Sequence, residues 1–206
     1  VLTGAFTFTD KLVTENYFLN TNETNKEKPN DNQGSTINTN TTYKAATEIT
    51  SDTTIKDKDY TSTESDENAL LINGKVSVTA SDIEVTKTGD SDGGDATSFY
   101  GTNSAILAKG ESTLTIKNAT ITTNATGANG VFSYGGSSTT NNTNSDGTTV
   151  NISNSTITTT KDNSGGIMTT GGGTTSATNL TIKTSGTSSA AIRTDRGGGT
   201  VTVNKG

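Results

Sequence analysis

The chain has 206 residues with 21 acidic against 15 basic side chains, no cysteine and no histidine, which excludes disulfides and Cys/His zinc sites and argues against a phosphate-binding surface. Only 27% of the residues are hydrophobic, with five Phe, five Tyr and no Trp, too little for a large compact core. No apolar run approaches the ~20 residues of a membrane-spanning helix, so neither nucleic acid nor a membrane span is expected.

Residues 1–46 differ in kind from the rest. They open with the alternating stretch Ala5-Phe6-Thr7-Phe8, continue to Tyr17-Phe18-Leu19, and run through an Asn/Thr/Lys/Glu tract holding the single proline, Pro29. Alternation reads as one or two strands, and the polar tract as a loop. This extension is the candidate cap of whatever follows.

From residue 47 to 206 the chain repeats. Leu70, Ile106, Val131, Ile167 and Ile192 open five related phrases spaced 36, 25, 36 and 25 residues apart. A second phrase, around Ile121, Ile157 and Ile182, keeps step with the first ten residues upstream each time. The unit is therefore a 25-residue coil, and the longer intervals carry Gly/Ser/Asn/Asp insertions near 88–103 and 136–147. Within each coil apolar and polar residues alternate, as in Val76-Ser-Val78, Leu114-Thr-Ile116 and Val150-Asn-Ile152, the two-residue period of half-buried strands. Short strands on such a period bury a core only by stacking. The expected fold is all-β, a right-handed parallel β-helix. Composition this polar would also suit a disordered chain, but disorder has no reason to space its aliphatics regularly.

Stacking the phrases assigns faces. The column Leu70 to Ile192 points inward; the next, Leu71, Leu107, Phe132, Met168 and Arg193, then points outward, since a lone buried guanidinium is costly. Four apolar residues stacked on an outer face form a stripe that needs cover. The Phe6/Phe8 or Tyr17/Phe18/Leu19 segment could lie along it, or a partner could. Asp57, Asn118, Asn154 and Asn179 share a turn column, where Asn accepts left-handed geometry and can form a hydrogen-bonded ladder. Thr200-Val201-Thr202-Val203 begins a coil that stops at Gly206. Either the protein continues, as a piece excised from something larger, or the Val201/Val203 edge takes the Phe6/Phe8 strand of a neighbouring molecule.

The phrases STLTIKNATI, TVNISNSTI, GGIMTTGGGT and AAIRTDRGGGTVTV resemble secreted or surface-anchored right-handed β-helix proteins of Gram-positive gut bacteria, many described as adhesin-like or carbohydrate-binding. The resemblance covers roughly Glu48 to Lys205 and implies a secreted or cell-surface location. It also implies a helix that runs on beyond the AIRTDRGGG coil. The architecture is similar to that of pectate lyases, whose catalytic residues have no matching motif here.

No catalytic residue is assigned. Glycoside cleavage uses two carboxyl groups, and the stacked equivalents of Asp195 are Thr170, Tyr134, Lys109 and Asn73, none of them acidic. Asp90, Asp92 and Asp95 in the first insertion are spaced for an oxygen-lined calcium site, but the run lacks a closing Glu and a solvated turn is favoured; no other cofactor is expected. Tyr134, Phe99 and Tyr100 are the candidate sugar contacts, with packing beneath the loops as their alternative role. The expected protein is a non-enzymatic adhesin or stalk module that meets a host or cell-surface glycan or protein. The alternatives are a filament subunit that self-associates by strand addition and, less favoured, a polysaccharide lyase or hydrolase.

Overall fold

The computed structural model describes residues 41–91, 94–136 and 145–205, together with the backbone of 5–9. Strand β1 (Ala5–Thr9) comes first, and the coils then follow in order. Coil one is β2 (Ala45–Ile49), β3 (Thr53–Lys56) and β4 (Asp59–Ser62); coil two is β5 (Asn68–Asn73), β6 (Ser77–Ser81) and β7 (Glu84–Lys87). A short helix, α1 (Asp95–Tyr100), sits in the first insertion. Coil three is β8 (Ile106–Lys109), β9 (Thr113–Lys117) and β10 (Thr120–Thr123), and coil four is β11 (Val131–Tyr134), β12 (Thr149–Ser153) and β13 (Thr156–Thr159). Coil five is β14 (Ile167–Thr170), β15 (Gly173–Thr178) and β16 (Thr181–Thr184); coil six has only β17 (Ile192–Thr194) and β18 (Gly199–Asn204) among the described residues.

Equivalent strands of successive coils pair in parallel, giving three sheets, β2-β5-β8-β11-β14-β17, β3-β6-β9-β12-β15-β18 and β4-β7-β10-β13-β16. This is a parallel β-solenoid, and its register is that of the repeat: Leu70 faces Ile106, Ile106 faces Val131, Val131 faces Ile167, and Ile167 faces Ile192. The first four of that column are at most 1% exposed, and Ile116, Ile121, Ile152 and Ile157 are as deeply buried. Each such side chain contributes about 1.5–3 kcal/mol when fully buried, so a few aliphatics per coil hold the column together. Core cover thins at both ends, where Ile49 and Tyr60 in coil one and Ile182, Ile192 and Val203 in coils five and six are only partly buried.

The turn column is a ladder of left-handed residues. Asp57, Asn118, Asn154 and Asn179 have φ between 50° and 55°. Asp82, at φ 56°, fills the rung between the first two. Asn118 Nδ2 donates to Asp82 Oδ1 at 3.1 Å and Asn179 Nδ2 to Asn154 Oδ1 at 2.8 Å. Asn154→Ala is therefore expected to cost about 1–2 kcal/mol, the left-handed penalty of a Cβ residue, while Asn154→Gly recovers most of it. Urea unfolding of the pair checks this; equal stability of the two variants would mean that the left-handed turn is not what the Asn supplies.

The outer stripe is a second core. Leu71, Leu107, Phe132 and Met168 are 0–3% exposed, with Tyr43, Ala45 and Tyr134 packed around them. Their cover comes neither from a partner surface nor from the Phe6/Phe8 strand, which lies elsewhere; Tyr17, Phe18 and Leu19 fall outside the described residues. It is the first insertion that folds back. Leaving the corner between β7 and β8, that insertion carries α1 and Gly101 over the first sheet. Gly101 sits at φ 75°, and a Cβ there would lie 2.8 Å from the Phe132 ring and 3.0 Å from Leu107, so the backbone itself lies on the stripe. Thr170 Oγ1 fixes the helix by donating to the Phe99 carbonyl at 2.7 Å.

The amino-terminal strand caps the other end from the one its position in the chain suggests. β1 pairs antiparallel with β18, placing Phe6 opposite Val203 and Phe8 opposite Val201. An edge strand carries a row of unpaired backbone donors and acceptors, and β1 satisfies that row on β18. The same residues expected to join two molecules are thus paired within one. The first coil begins at Ala45, two residues ahead of the boundary expected from the repeat.

Candidate functional site

On the outer face of the first sheet, the residue three positions after each core aliphatic forms the column Asn73, Lys109, Tyr134 and Thr170. Outward alternation sends Tyr134 away from the core, where α1 meets it. Tyr100 and Tyr134 pack edge to face, ring centroids 5.4 Å apart and planes at 74°, a geometry that contributes roughly 0.5–1.5 kcal/mol beyond burial. Tyr100 is 7% exposed, which makes it a support rather than a contact residue. Tyr134 and Phe99 are half-buried.

Two cations frame these rings. Arg196 stacks over Phe99, its guanidinium carbon 4.0 Å from the centroid, and its Nη1 donates to Asp95 at 2.8 Å. Lys109 lies 4.7 Å over the Tyr43 ring and donates to Asn73 Oδ1 at 2.9 Å; Asn73 in turn donates to Glu48 Oε1 at 2.8 Å. Burial holds the Lys109 amine below the usual lysine range, with Asp146 and Glu48 partly restoring it. Burial raises the Tyr43 and Tyr134 hydroxyls above the usual tyrosine range, reinforced by the neighbouring tyrosines and, for Tyr134, by Asp146. These phenols stay neutral at physiological pH. Together the side chains form a ledge of aromatic faces, neutral hydroxyls and fixed charges, a set suited to a ring with one apolar face and polar edges.

The ledge brings together all three residues expected as sugar contacts and assigns Tyr100 a packing role. Tyr43 was not anticipated, because it sits in the polar tract just before β2, where no period marks it. The other sequence candidates resolve differently. Asp90 accepts the Thr126 N–H at 2.7 Å and faces Lys161 at 3.4 Å, whereas Asp95 is taken by Arg196. Asp92 lies outside the described residues, and among those described no group of three metal-ligating side chains converges. Asp90 and Asp95 thus each face a separate protein cation. Asp195 pairs with Arg193 and accepts the Arg196 N–H at 2.8 Å, an ion cluster at the rim of the ledge. No helix among the described residues is long and apolar enough to cross a membrane.

Among the described residues, one fully buried charge lies at the base of the first insertion. Lys87 occupies the inward column of the third sheet beside Ser62 and Thr123 and is 0% exposed. Its Nζ donates to the carbonyls of Glu64 at 2.7 Å and Gly89 at 2.6 Å, and Asn103 Nδ2 donates to the same Gly89 carbonyl at 2.9 Å. The lysine thereby ties the start of the first insertion to the Glu64 backbone, and Asn103 brings the end of the insertion to the same Gly89 carbonyl. A Cβ on Gly89 would lie 2.0 Å from the Glu64 carbonyl oxygen, so only glycine fits this closure. Burial lowers the Lys87 amine to about 8, nearby Glu67 and Asp66 opposing that effect.

No protein-family model matches the chain, and neither a curated protein nor a solved structure matches it.

Proposed function

We propose that the protein is a non-enzymatic β-solenoid module of a secreted or cell-surface protein, a stalk or adhesin that binds carbohydrate on its lateral ledge. The observation that carries the reading is the pair of half-buried rings, Phe99 on α1 and Tyr134 on β11, with Arg196 over Phe99 and Lys109 beside Tyr134 in the sheet. Aromatic faces cover the apolar face of a pyranose, and flanking donors take its hydroxyls. Rings held by strand and helix lose little freedom on binding, which favours affinity. The resemblance of the coil phrases to adhesin-like surface proteins supports the same reading. The positions equivalent to Asp195 in the preceding coils are Thr170, Tyr134 and Lys109, none of them a carboxylate, which supports binding over glycoside cleavage by stacked carboxyl groups.

A glycan array followed by calorimetry tests this. Binding of a defined glycan is expected, with Phe99→Ala and Tyr134→Ala each weakening it about tenfold, roughly 1.4 kcal/mol. An array without any ligand, or turnover of a bound polysaccharide, would overturn the proposal.

A further inference from the structure

The strand that closes the carboxyl-terminal edge is supplied by the far end of the chain. β1 lies six strand positions from β3 in the second sheet, about 29 Å at ~4.8 Å per step. The 35 residues of 10–44 between β1 and β2 would reach about 115 Å if fully extended. Length therefore ties β1 neither to its own β18 nor against another. β1 is also the one antiparallel strand among the described sheets, so its seat depends on backbone pairing with β18 rather than on the winding of the coil. The terminal coils carry partly buried apolar side chains, Ile182, Ile192 and Val203 at one end and Ile49 and Tyr60 at the other.

We propose that β1 is an exchangeable strand, able to leave its own β18 and pair in the same register with β18 of a second copy, linking copies of this chain in series. The inference is independent of carbohydrate binding at the ledge. Backbone addition to a sheet edge needs no new side-chain chemistry, and swapping an identical element conserves every contact except those at the hinge. Linkage within one chain gives the intramolecular strand an effective concentration on the order of millimolar. Single chains should then keep their own β1 at micromolar concentration, and exchange should dominate when copies are crowded or refolded together.

Register makes the test specific, because the chain has no cysteine of its own. Thr7 lies opposite Thr202 and Thr9 opposite Thr200, and directly opposed positions of an antiparallel pair are close enough for a disulfide. The double variant Thr7→Cys/Thr202→Cys, oxidised at micromolar concentration, should give a cross-linked monomer. A Thr7→Cys chain and a Thr202→Cys chain, unfolded, mixed near ~1 mM and refolded under mild oxidation, should give a disulfide-linked heterodimer. Its yield should exceed by at least tenfold that of Thr7→Cys mixed with the off-register Thr122→Cys. The Thr9/Thr200 pair repeats both experiments if either first-pair variant fails to fold. A cross-linked monomer with no heterodimer above the off-register control overturns exchange. No cross-link in either double variant overturns the pairing on which exchange rests.

Discussion

Phe132→Ala is expected to lower stability by about 3–5 kcal/mol, as large a loss as removing an aromatic from a conventional core. The ring is 0% exposed and packs with Leu71, Leu107 and Met168 on the outer face of the first sheet, beneath the Gly101 backbone. Its loss leaves a cavity under α1 that the insertion cannot fill, since Lys87 and Thr170 hold that insertion at separate points. The variant should show a lower urea midpoint and faster proteolysis within 88–103. Ile121→Ala in the inner core should cost a comparable 2–5 kcal/mol while leaving the insertion as resistant as in the native chain. A Phe132→Ala loss below about 1 kcal/mol would mean that the stripe is a surface rather than a second core.

The second large effect is on pH dependence. In the unfolded chain the Lys87 amine titrates near 10.5, and burial brings it to about 8 in the folded one. Below pH 8 both states hold the proton and the full cost of burying the charge is present. Between about 8 and 10.5 the folded chain releases the proton first, so the unfolded state binds more protons and stability rises with pH. At ~1.36 kcal/mol per pH unit, native stability should rise by up to about 2 kcal/mol from pH 8 to 9.5. Lys87→Met should rise less over that interval, keeping only the smaller contribution of Lys109, whose amine burial also lowers. The buried tyrosines act in the opposite sense: with Tyr43 and Tyr134 raised, stability falls only above about pH 10, where unfolded phenols ionise. Ending at pH 9.5 keeps the two apart. A native slope equal to that of Lys87→Met would show that Lys87 keeps an ordinary lysine pKa in the fold.

The coils were legible because solenoid pairing turns sequence spacing directly into contact. Spacings of 36 and 25 residues return as hydrogen bonds such as Asn118 to Asp82 and Asn179 to Asn154. The outward direction of Leu71, Leu107, Phe132 and Met168 also followed from alternation alone. What covers them did not. An insertion such as 88–103 has no period, and its fold is decided by single anchors: Lys87 at its base, Gly101 over Phe132, and the Phe99 carbonyl on Thr170. Lys87 could have been noticed, since it stands two residues after the inward Val85 in a strand whose alternation it continues. The seat of β1 could not be placed from spacing, because pairing with β18 is non-local and independent of the repeat. The ledge was legible in part: Tyr134 came from the column and Phe99 from composition, but Arg196 over Phe99 and Lys109 over Tyr43 are set by tertiary contact.

Whether that ledge holds a sugar is decided most directly by titrating the native chain and the Phe99→Ala/Tyr134→Ala double variant with an array-derived glycan while following aromatic ring-proton signals. In the native chain, shifts confined to Phe99, Tyr134 and Tyr43 are expected, with binding lost in a double variant that still folds cooperatively, at a melting temperature lowered by loss of the packing Tyr134 gives to Tyr100 and the outer stripe. Undiminished binding by a folded double variant, or shifts at residues remote from the first sheet, would contradict it.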